Sequence, residues 1–461
     1  MVKNNIPDEL KIYELSLIWK EAEYNFAFWE SLSGILDWDS AFKNALNAVL
    51  KTENLYEYYM ELKKFVALLR DGHTHVVFPK TVLDSLGQLP IKTMLIKGEL
   101  IISNVKRGTE CKIKRWSIIK KIDGVNIEDH LAKNVYPYIW HEKKDSATYL
   151  LNSLIFHGPV GSEVKLDLES DGLKESVTLT RAHDAGEWYF DDVKIRPDEE
   201  LRQVYSSDSH SISMTDDNIA VITIDTMMNA DLPQDFYKNF PLLEKAYGYI
   251  IDVRENGGGN SDNANAVAAM FIGGEFLTQR ALQPIHIGAY KAWALQAASL
   301  IGCDPSRISY EQAVEKFGMS EHSEKTFKIY KRMYYEESVG TYNSGACPGI
   351  LTAPLIVLTS SNTASAAEDF LIELDYAKRA TIVGTASFGS TGNPLVVDLE
   401  SGGSFWICTR NCTYPDGREF INTGVQPHTL CEPTLAHYKN GVDSVMNKGL
   451  EVIRGQLYAR K

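Results

Sequence analysis

The chain has no apolar run approaching the roughly 18 residues that cross a bilayer as a helix, so no helical membrane span is expected. It also lacks an excess of basic residues. Its 461 residues carry 47 Lys and Arg against 61 Asp and Glu, a formal net charge of −14. Nucleic acid and anionic membrane surfaces are therefore excluded as main partners, because both demand a basic face. The six cysteines (Cys111, Cys303, Cys347, Cys408, Cys412, Cys431) are too scattered for a disulfide scaffold, and no Cys-x-x-Cys pair points to zinc. They read as buried free thiols in a reducing compartment. There is no internal repeat and no low-complexity stretch. The start, "MVKNNIPDELKIYELSLIWKEAEYNF", interrupts every apolar stretch with charge. The expected location is cytoplasmic as the sequence stands, and periplasmic or secreted if a leader has been removed.

What is present is the texture of a globular protein of two or three domains, with 44% apolar and 23% charged residues. Residues 1–85 read as a helical domain. In "NLYEYYMELKKFVALL", Leu55, Tyr59, Leu62, Val66 and Leu69 recur at helical spacing, and Asn54 with Glu57 fits a capping box. The domain ends in "RDGHTHVVFP", where Asp71-Gly72 breaks the helix and Val76-Val77-Phe78 reads as a strand stopped by Pro79.

Residues 86–183 change to short strands and turns, with Asp123-Gly124 and Asp171-Gly172 as hairpin signals and one helix around "EDHLAKNV". Residues 184–461 alternate strand and helix. "NIAVITI" and "GYIIDV" are strands, "DFYKNFPLLEKAY" and "DNANAVAAMFI" helices, and "PLIVLTSSNTASAAEDFLIEL" a strand, turn and helix. A mostly helical insertion is expected at about 284–346, and "NPLVVDL" with "SFWICTRNCTYPDG" reads as β-ribbon.

Three stretches carry chemistry. Ser365, in "SSNTASAAEDF", falls at a predicted helix N-terminus, where unpaired N–H groups and the helix dipole favour developing negative charge. Small neighbours leave room for a substrate backbone, and the Ala366 N–H is placed to donate to an oxyanion. Ser365-x-x-Glu368 is equally a capping box, in which the hydroxyl only ends a helix.

In "IIDVRENGGGN", three glycines follow a strand without the Lys-Ser or Lys-Thr of a P-loop. A plain turn accounts for Asn256-Gly257, while an oxyanion donor at Gly258 gives the further glycines a purpose. In "DGHTHV", His73 and His75 would share one side of a strand. Metal binding lacks a third ligand or an HExxH partner. An imidazole that activates a hydroxyl fits His73 better, and His75 reads as structural.

In this order, "LDWDSAF", "LRDGHTHV", "GPVGSEVKL", "DVRENGGGN", "TSSNTASAAEDF" and "GVQPH" resemble the S41 family of serine peptidases, the tail-specific or C-terminal processing proteases. The resemblance implies an α/β fold (multidomain α+β) with an N-terminal helical region, a PDZ-like module over 86–183 and a peptidase core. It implies Ser365 as nucleophile, with the Gly258 and Ala366 amides as the oxyanion hole.

One branch of that family activates its serine with a lysine in a Phe-Gly-Lys stretch. Here "SFGSTG" puts Ser390 at the lysine position, and Lys378 lies in another context. The other branch, which includes the tricorn core, uses a histidine before the PDZ-like domain and a late glutamate, so the resemblance implies His73 as base. For the glutamate the nearest candidate is Glu419, with Ile421 at the more usual position and His428 replacing a common aspartate.

The expected activity is serine-type endopeptidase cleavage of peptides or unfolded proteins, with no cofactor and no metal. The alternative is a catalytically inactive ligand- or peptide-binding protein on the same fold.

Overall fold

A computed structural model describes residues 6–109, 112–139, 156–183, 187–189, 195–285 and 335–459, with 315, 325, 327–329 and 332 between the last two stretches. At its centre is a seven-stranded sheet. Two antiparallel strands, Arg202–Ser206 and Ser211–Met214, lead into five parallel ones: Ile219–Thr223, Gly248–Asp252, Leu355–Thr359, Thr381–Gly384 and Thr429–Leu430. The strands Gly248–Asp252 and Leu355–Thr359 are buried at every residue, as their continuous apolar runs require of parallel strands covered on both faces. Helices Ser261–Ile272 and Ala366–Tyr376 contribute to the core on one face, and Ser444–Ala459 to that on the other.

The apolar run "DFYKNFPLLEKAY" forms two short helices, Leu232–Lys238 and Phe240–Leu243, rather than one. Pro241 has no N–H to donate and its ring clashes with a preceding helical turn, so a new helix starts at Phe240 with Asn239 as its cap. Within the expected helical insertion the described stretch Tyr335–Asn343 is a strand, paired antiparallel with Glu275–Pro284. Nearly all the residues between lie outside the described ones.

Residues 89–179 have a separate hydrophobic core under a twisted antiparallel sheet. Its strands Glu163–Ser170 and Leu173–Thr180 are joined through Asp171 (φ 50°) and Gly172 (φ 80°). Positive φ at both central residues is the two-residue turn whose twist matches a hairpin.

The N-terminal helices Asp8–Asn25, Trp38–Val49 and Leu55–Val66 are not an isolated bundle. Asn54 caps the third by accepting from Glu57 N–H at 3.0 Å. Their buried faces share one core with Phe405, Ile407 and Cys408, more than three hundred residues later. The strand His75–Val77 pairs with Ser404–Ile407, which pairs in turn with Leu395–Asp398. That pairing delivers the Asp71–Thr74 turn to the half of the chain that carries the seven-stranded sheet.

Among the described residues no helix is long and apolar enough to cross a membrane. Cys347, Cys408, Cys412 and Cys431 are free thiols, and burial drives the Cys408 thiol well above its usual range.

Candidate active site

The site begins where the strand Leu355–Thr359 ends. Ser360 Oγ donates to the Arg254 carbonyl at 2.5 Å, and Thr363 Oγ1 donates to the Val253 carbonyl at 2.8 Å. These bonds pin the turn 360–364 to the glycine loop that follows the neighbouring strand. Ala364 N–H completes the clamp by donating to the Asn256 carbonyl at 3.0 Å.

The chain then enters the helix Ala366–Tyr376 through Ser365, whose backbone is held at φ 55° and ψ −125°. Such a conformation costs a non-glycine residue about 1–3 kcal/mol and persists only where its surroundings enforce it. A strained serine on a strand–turn–helix elbow is the geometry that exposes a nucleophile at the edge of an α/β sheet. Here the enforcement is visible. Ser365 N–H is shared between the Ser390 carbonyl at 3.0 Å and Glu368 Oε2 at 3.1 Å, and the Ser365 carbonyl accepts Glu368 N–H at 2.7 Å.

The two expected oxyanion donors differ. Ala366 N–H, in the first turn of the helix, donates to no group among the described residues. Gly258 (φ 99°) lies against Ser365, but its N–H donates to Asn256 Oδ1 at 2.9 Å. Asn256 is fully buried and anchored by its Nδ2 to the Ile224 carbonyl at 3.0 Å. An oxyanion at the Gly258 amide has to displace the Asn256 oxygen.

His73 is not on a strand with His75, because the strand begins only at His75. His75 is exposed and stacks on Trp406, with ring centroids 5.6 Å apart. His73 instead occupies a turn shaped by Asp71, whose Oδ2 accepts from His73 N–H at 3.1 Å and from Thr74 Oγ1 at 2.6 Å. Gly72 lets the turn press on the facing loop. A β-carbon there would lie 2.9 Å from Phe388 Cε1 and 3.0 Å from Ser390 Oγ.

The imidazole therefore meets Ser390: His73 Nδ1 and Ser390 Oγ are in hydrogen-bond contact. Ser365 is not among the hydrogen-bond partners of His73. Desolvation lowers the His73 pKa to about 4, so the ring is neutral at neutral pH.

Glu368 ties these parts together. Its buried carboxylate accepts from Ser387 Oγ (2.5 Å), Gly389 N–H (2.6 Å), Ser390 N–H (2.9 Å) and Ser365 N–H (3.1 Å). Burial raises its pKa to about 7, although all four donors oppose the shift. Asp369, which accepts from Ser261 Oγ at 2.5 Å, and Asp71 are each raised to about 6 by the same cause.

Glu419 is exposed and has no hydrogen bond or ion pair among the described residues. Ile421, at the more usual position for the acid, packs against both large cores. His428 is occupied elsewhere, accepting Ile382 N–H at 2.9 Å and lying 3.0 Å from Asp375. Among the described residues no group of three His, Cys, Asp or Glu side chains is arranged to hold a metal ion.

Ser365, Gly258 and Ala366 thus converge, and His73 reaches them through Ser390. Sequence reasoning missed Ser390 as a partner of His73, although its place in the lysine position was a signal. It also read Glu368 only as half of a capping box.

Comparison with known proteins adds to this geometry. Residues 218–430 match the profile of peptidase family S41. A carboxy-terminal-processing protease of Bartonella bacilliformis is 30% identical over 108 residues, 23% of this chain. The match spans only 24% of the length of that relative. Among solved structures, mature CPAF complexed with lactacystin superposes with a TM-score of 0.70 at 15% identity, over 97% of this chain and 99% of that one. A putative peptidase from Parabacteroides merdae gives a TM-score of 0.51 at 14% identity, over 97% of each chain. At these identities the likeness is one of fold.

Proposed function

We propose that this chain, whose residues 218–430 belong to peptidase family S41, is a serine endopeptidase that cleaves peptides or unfolded proteins through an acyl-enzyme on Ser365. The observation that carries this reading is the strained Ser365 elbow, with the Ala366 amide, unpaired among the described residues, beside it and Gly258 packed against it.

His73 is the general base. In the neutral ring, an Nδ1–H donated to Ser390 Oγ leaves the Nε2 lone pair to take the Ser365 proton. Ser390 then fills the orienting role for which Glu419 was the sequence candidate. A hydroxyl offers the imidazolium less charge stabilisation than a carboxylate, so the role is mainly one of tautomer and aim. His73 Nε2 must close on Ser365 in the substrate complex, as catalytic hydrogen bonds commonly do. The Ala366 amide, and the Gly258 amide once released from Asn256, hold the oxyanion. The protonated His73 gives its proton to the leaving amine, and water then resolves the acyl-enzyme by the reverse transfers.

The module 86–183 fits a PDZ-like peptide-holding role. Leu173–Thr180 is an edge strand of its sheet with most residues exposed, which suits pairing with an extended peptide.

The test is labelling by a fluorophosphonate probe. The expected result is labelling of the wild type, lost in both Ser365→Ala and His73→Ala. Loss in Ser365→Ala alone would replace His73 as base. A folded wild type that takes no label, and cleaves no unfolded protein, would make this a binding protein.

A further inference from the structure

The glycine loop beside Ser365 is fixed at both ends and loose in the middle. At its start Asn256 is fully buried and held at three points. Its N–H donates to the Val253 carbonyl at 3.1 Å, its carbonyl accepts Ala364 N–H at 3.0 Å, and its Nδ2 donates to the Ile224 carbonyl at 3.0 Å. At the far end the Gly258 carbonyl accepts Met227 N–H at 3.0 Å. A β-carbon on Gly259 would lie 2.4 Å from the Met227 carbonyl carbon, so this end has no room to shift.

Gly257 differs from its neighbours. It is exposed, no atom stands within 4 Å of where its β-carbon would be, and its φ lies outside the left-handed region. Neither its N–H nor its carbonyl makes a hydrogen bond among the described residues. The Gly257–Gly258 peptide is therefore held by one bond, from Gly258 N–H to Asn256 Oδ1 at 2.9 Å. With glycine on both sides the peptide is free to turn over, because Gly258 passes between its φ of 99° and negative φ at no steric cost.

The acceptor is thus rigid and buried, and the donor movable. An oxyanion on Ser365, which substrate reaches from solvent, competes with Asn256 Oδ1 for the same N–H. The competitors are unequal. Asn256 Oδ1 is a neutral amide oxygen, and so is a substrate carbonyl before attack, which gains little by taking the amide. An oxyanion is charged, and a hydrogen bond to it is roughly twice as strong. Only contacts that are stronger in the transition state than in the bound substrate speed the chemical step.

We propose that Asn256 is a positioning residue: it holds the Gly258 amide inward in the resting protein and yields it only to the charged oxygen of the reacting substrate. The inference rests on Ser365 being the nucleophile. It leaves the Ala366 amide as the donor available from the start, with the Gly258 amide recruited as charge develops.

The test is the rate of fluorophosphonate labelling of the full chain across a series that changes only the acceptor at 256, with unfolding free energy measured beside it. Asn256→Ala removes the competitor. Labelling should rise by about threefold to tenfold, the worth of one net hydrogen bond, while stability falls because the Ile224 carbonyl loses its donor. A residue that merely shaped the loop would lower both. Asn256→Asp keeps the size and offers a charged acceptor, so labelling should fall by about tenfold or more.

A serine hydroxyl bonds a nearby backbone N–H more weakly than an Asn side chain does. Asn256→Ser should therefore label at a rate between wild type and Asn256→Ala, which keeps the ordering measurable if the alanine variant does not fold. Labelling slower than wild type in Asn256→Ala or Asn256→Ser, with a cooperative melting transition, overturns the proposal. So does Asn256→Asp labelling at or above the wild-type rate. An unlabelled wild type overturns the Ser365 reading itself, and this inference with it.

Discussion

Gly258 lies directly against Ser365. A β-carbon placed on Gly258 would sit 2.5 Å from Ser365 Cβ, 2.7 Å from the Ala364 carbonyl oxygen and 3.0 Å from the Ala366 nitrogen. With φ at 99° as well, no L side chain fits there without moving the elbow. Gly258→Ala should therefore cut fluorophosphonate labelling by about 10²–10³-fold, the cost of losing one oxyanion donor. It should also lower the melting temperature. Normal labelling in Gly258→Ala would remove Gly258 from the site.

The strain at Ser365 is measurable apart from its chemistry. Ser365→Ala and Ser365→Gly both remove the hydroxyl, but only glycine relieves a φ of 55° paired with a ψ of −125°. Ser365→Gly should be more stable than Ser365→Ala by about 1 kcal/mol, the lower end of such strain. Chemical denaturation of the two inactive variants decides it, and equal midpoints would mean that the elbow stores nothing.

Ser390→Ala leaves Nδ1 of His73 without its hydroxyl partner. If Ser390 sets the tautomer, labelling should fall by about 10–100-fold, the usual cost of losing a partner that orients a ligating or catalytic histidine. Ser390→Thr, which keeps the hydroxyl, should recover part of the loss. An unchanged rate in Ser390→Ala would return the orienting role to an acid such as Glu419.

Two pH dependences follow from burial, with opposite signs. His73, lowered from 6.5 to about 4, stays neutral far into acid. The acid limb of the labelling rate should lie below pH 6.5, moved toward 4, since this limb reports the base in the free protein. A limb at or above 6.5 would show that His73 is not the base, or is not desolvated.

Glu368 is raised from 4.5 to about 7, and Asp71 and Asp369 from 3.8 to about 6. In these windows the folded state holds more protons than the unfolded one, so these three groups make stability fall as pH rises. Glu368 alone contributes a loss of about 3 kcal/mol between pH 4.5 and 7. His73 opposes it, since its lowered pKa adds stability as pH rises from 4 to 6.5. The difference in unfolding free energy between wild type and Glu368→Gln across this range isolates Glu368, since the other titrating groups, His75 included, are common to both. A difference that does not fall as pH rises would rule out the raised pKa of Glu368.

How much of this was legible beforehand depends on the reach of each signal. Asn54 and Glu57 announced a helix start because a cap is made between residues three apart. Asp171-Gly172 announced a hairpin because two left-handed residues are a local requirement. The all-buried strands were visible as unbroken apolar runs. The elbow at Ser365 was legible as to place but not as to strain, because its φ is imposed by bonds to Ser390 and Glu368 rather than by its neighbours in sequence.

The strand Tyr335–Asn343 was missed because its partner, Glu275–Pro284, lies across a long intervening segment. Glu336 and Glu337 there mimic a helix surface, and only cross-strand pairing overrides that preference.

Composition and local pattern alone determined that this chain builds an α/β core with a separate β module, and that Ser365 stands at the head of a helix after a glycine-bearing loop. Those features rest on propensity, periodicity and backbone permissiveness, which act over a few residues. Only the tertiary structure decided that His73 meets Ser390, that Asn256 occupies the Gly258 amide, and that Glu419 stands apart in solvent. Each of those contacts depends on chain segments brought together by burial of shared apolar surface. His73 is placed by a strand pairing between residues 75–77 and 404–407 and by one core that joins the N-terminal helices to residues 399–408. Hydrophobic burial is non-directional and carries no record in local sequence of which distant segment it will join.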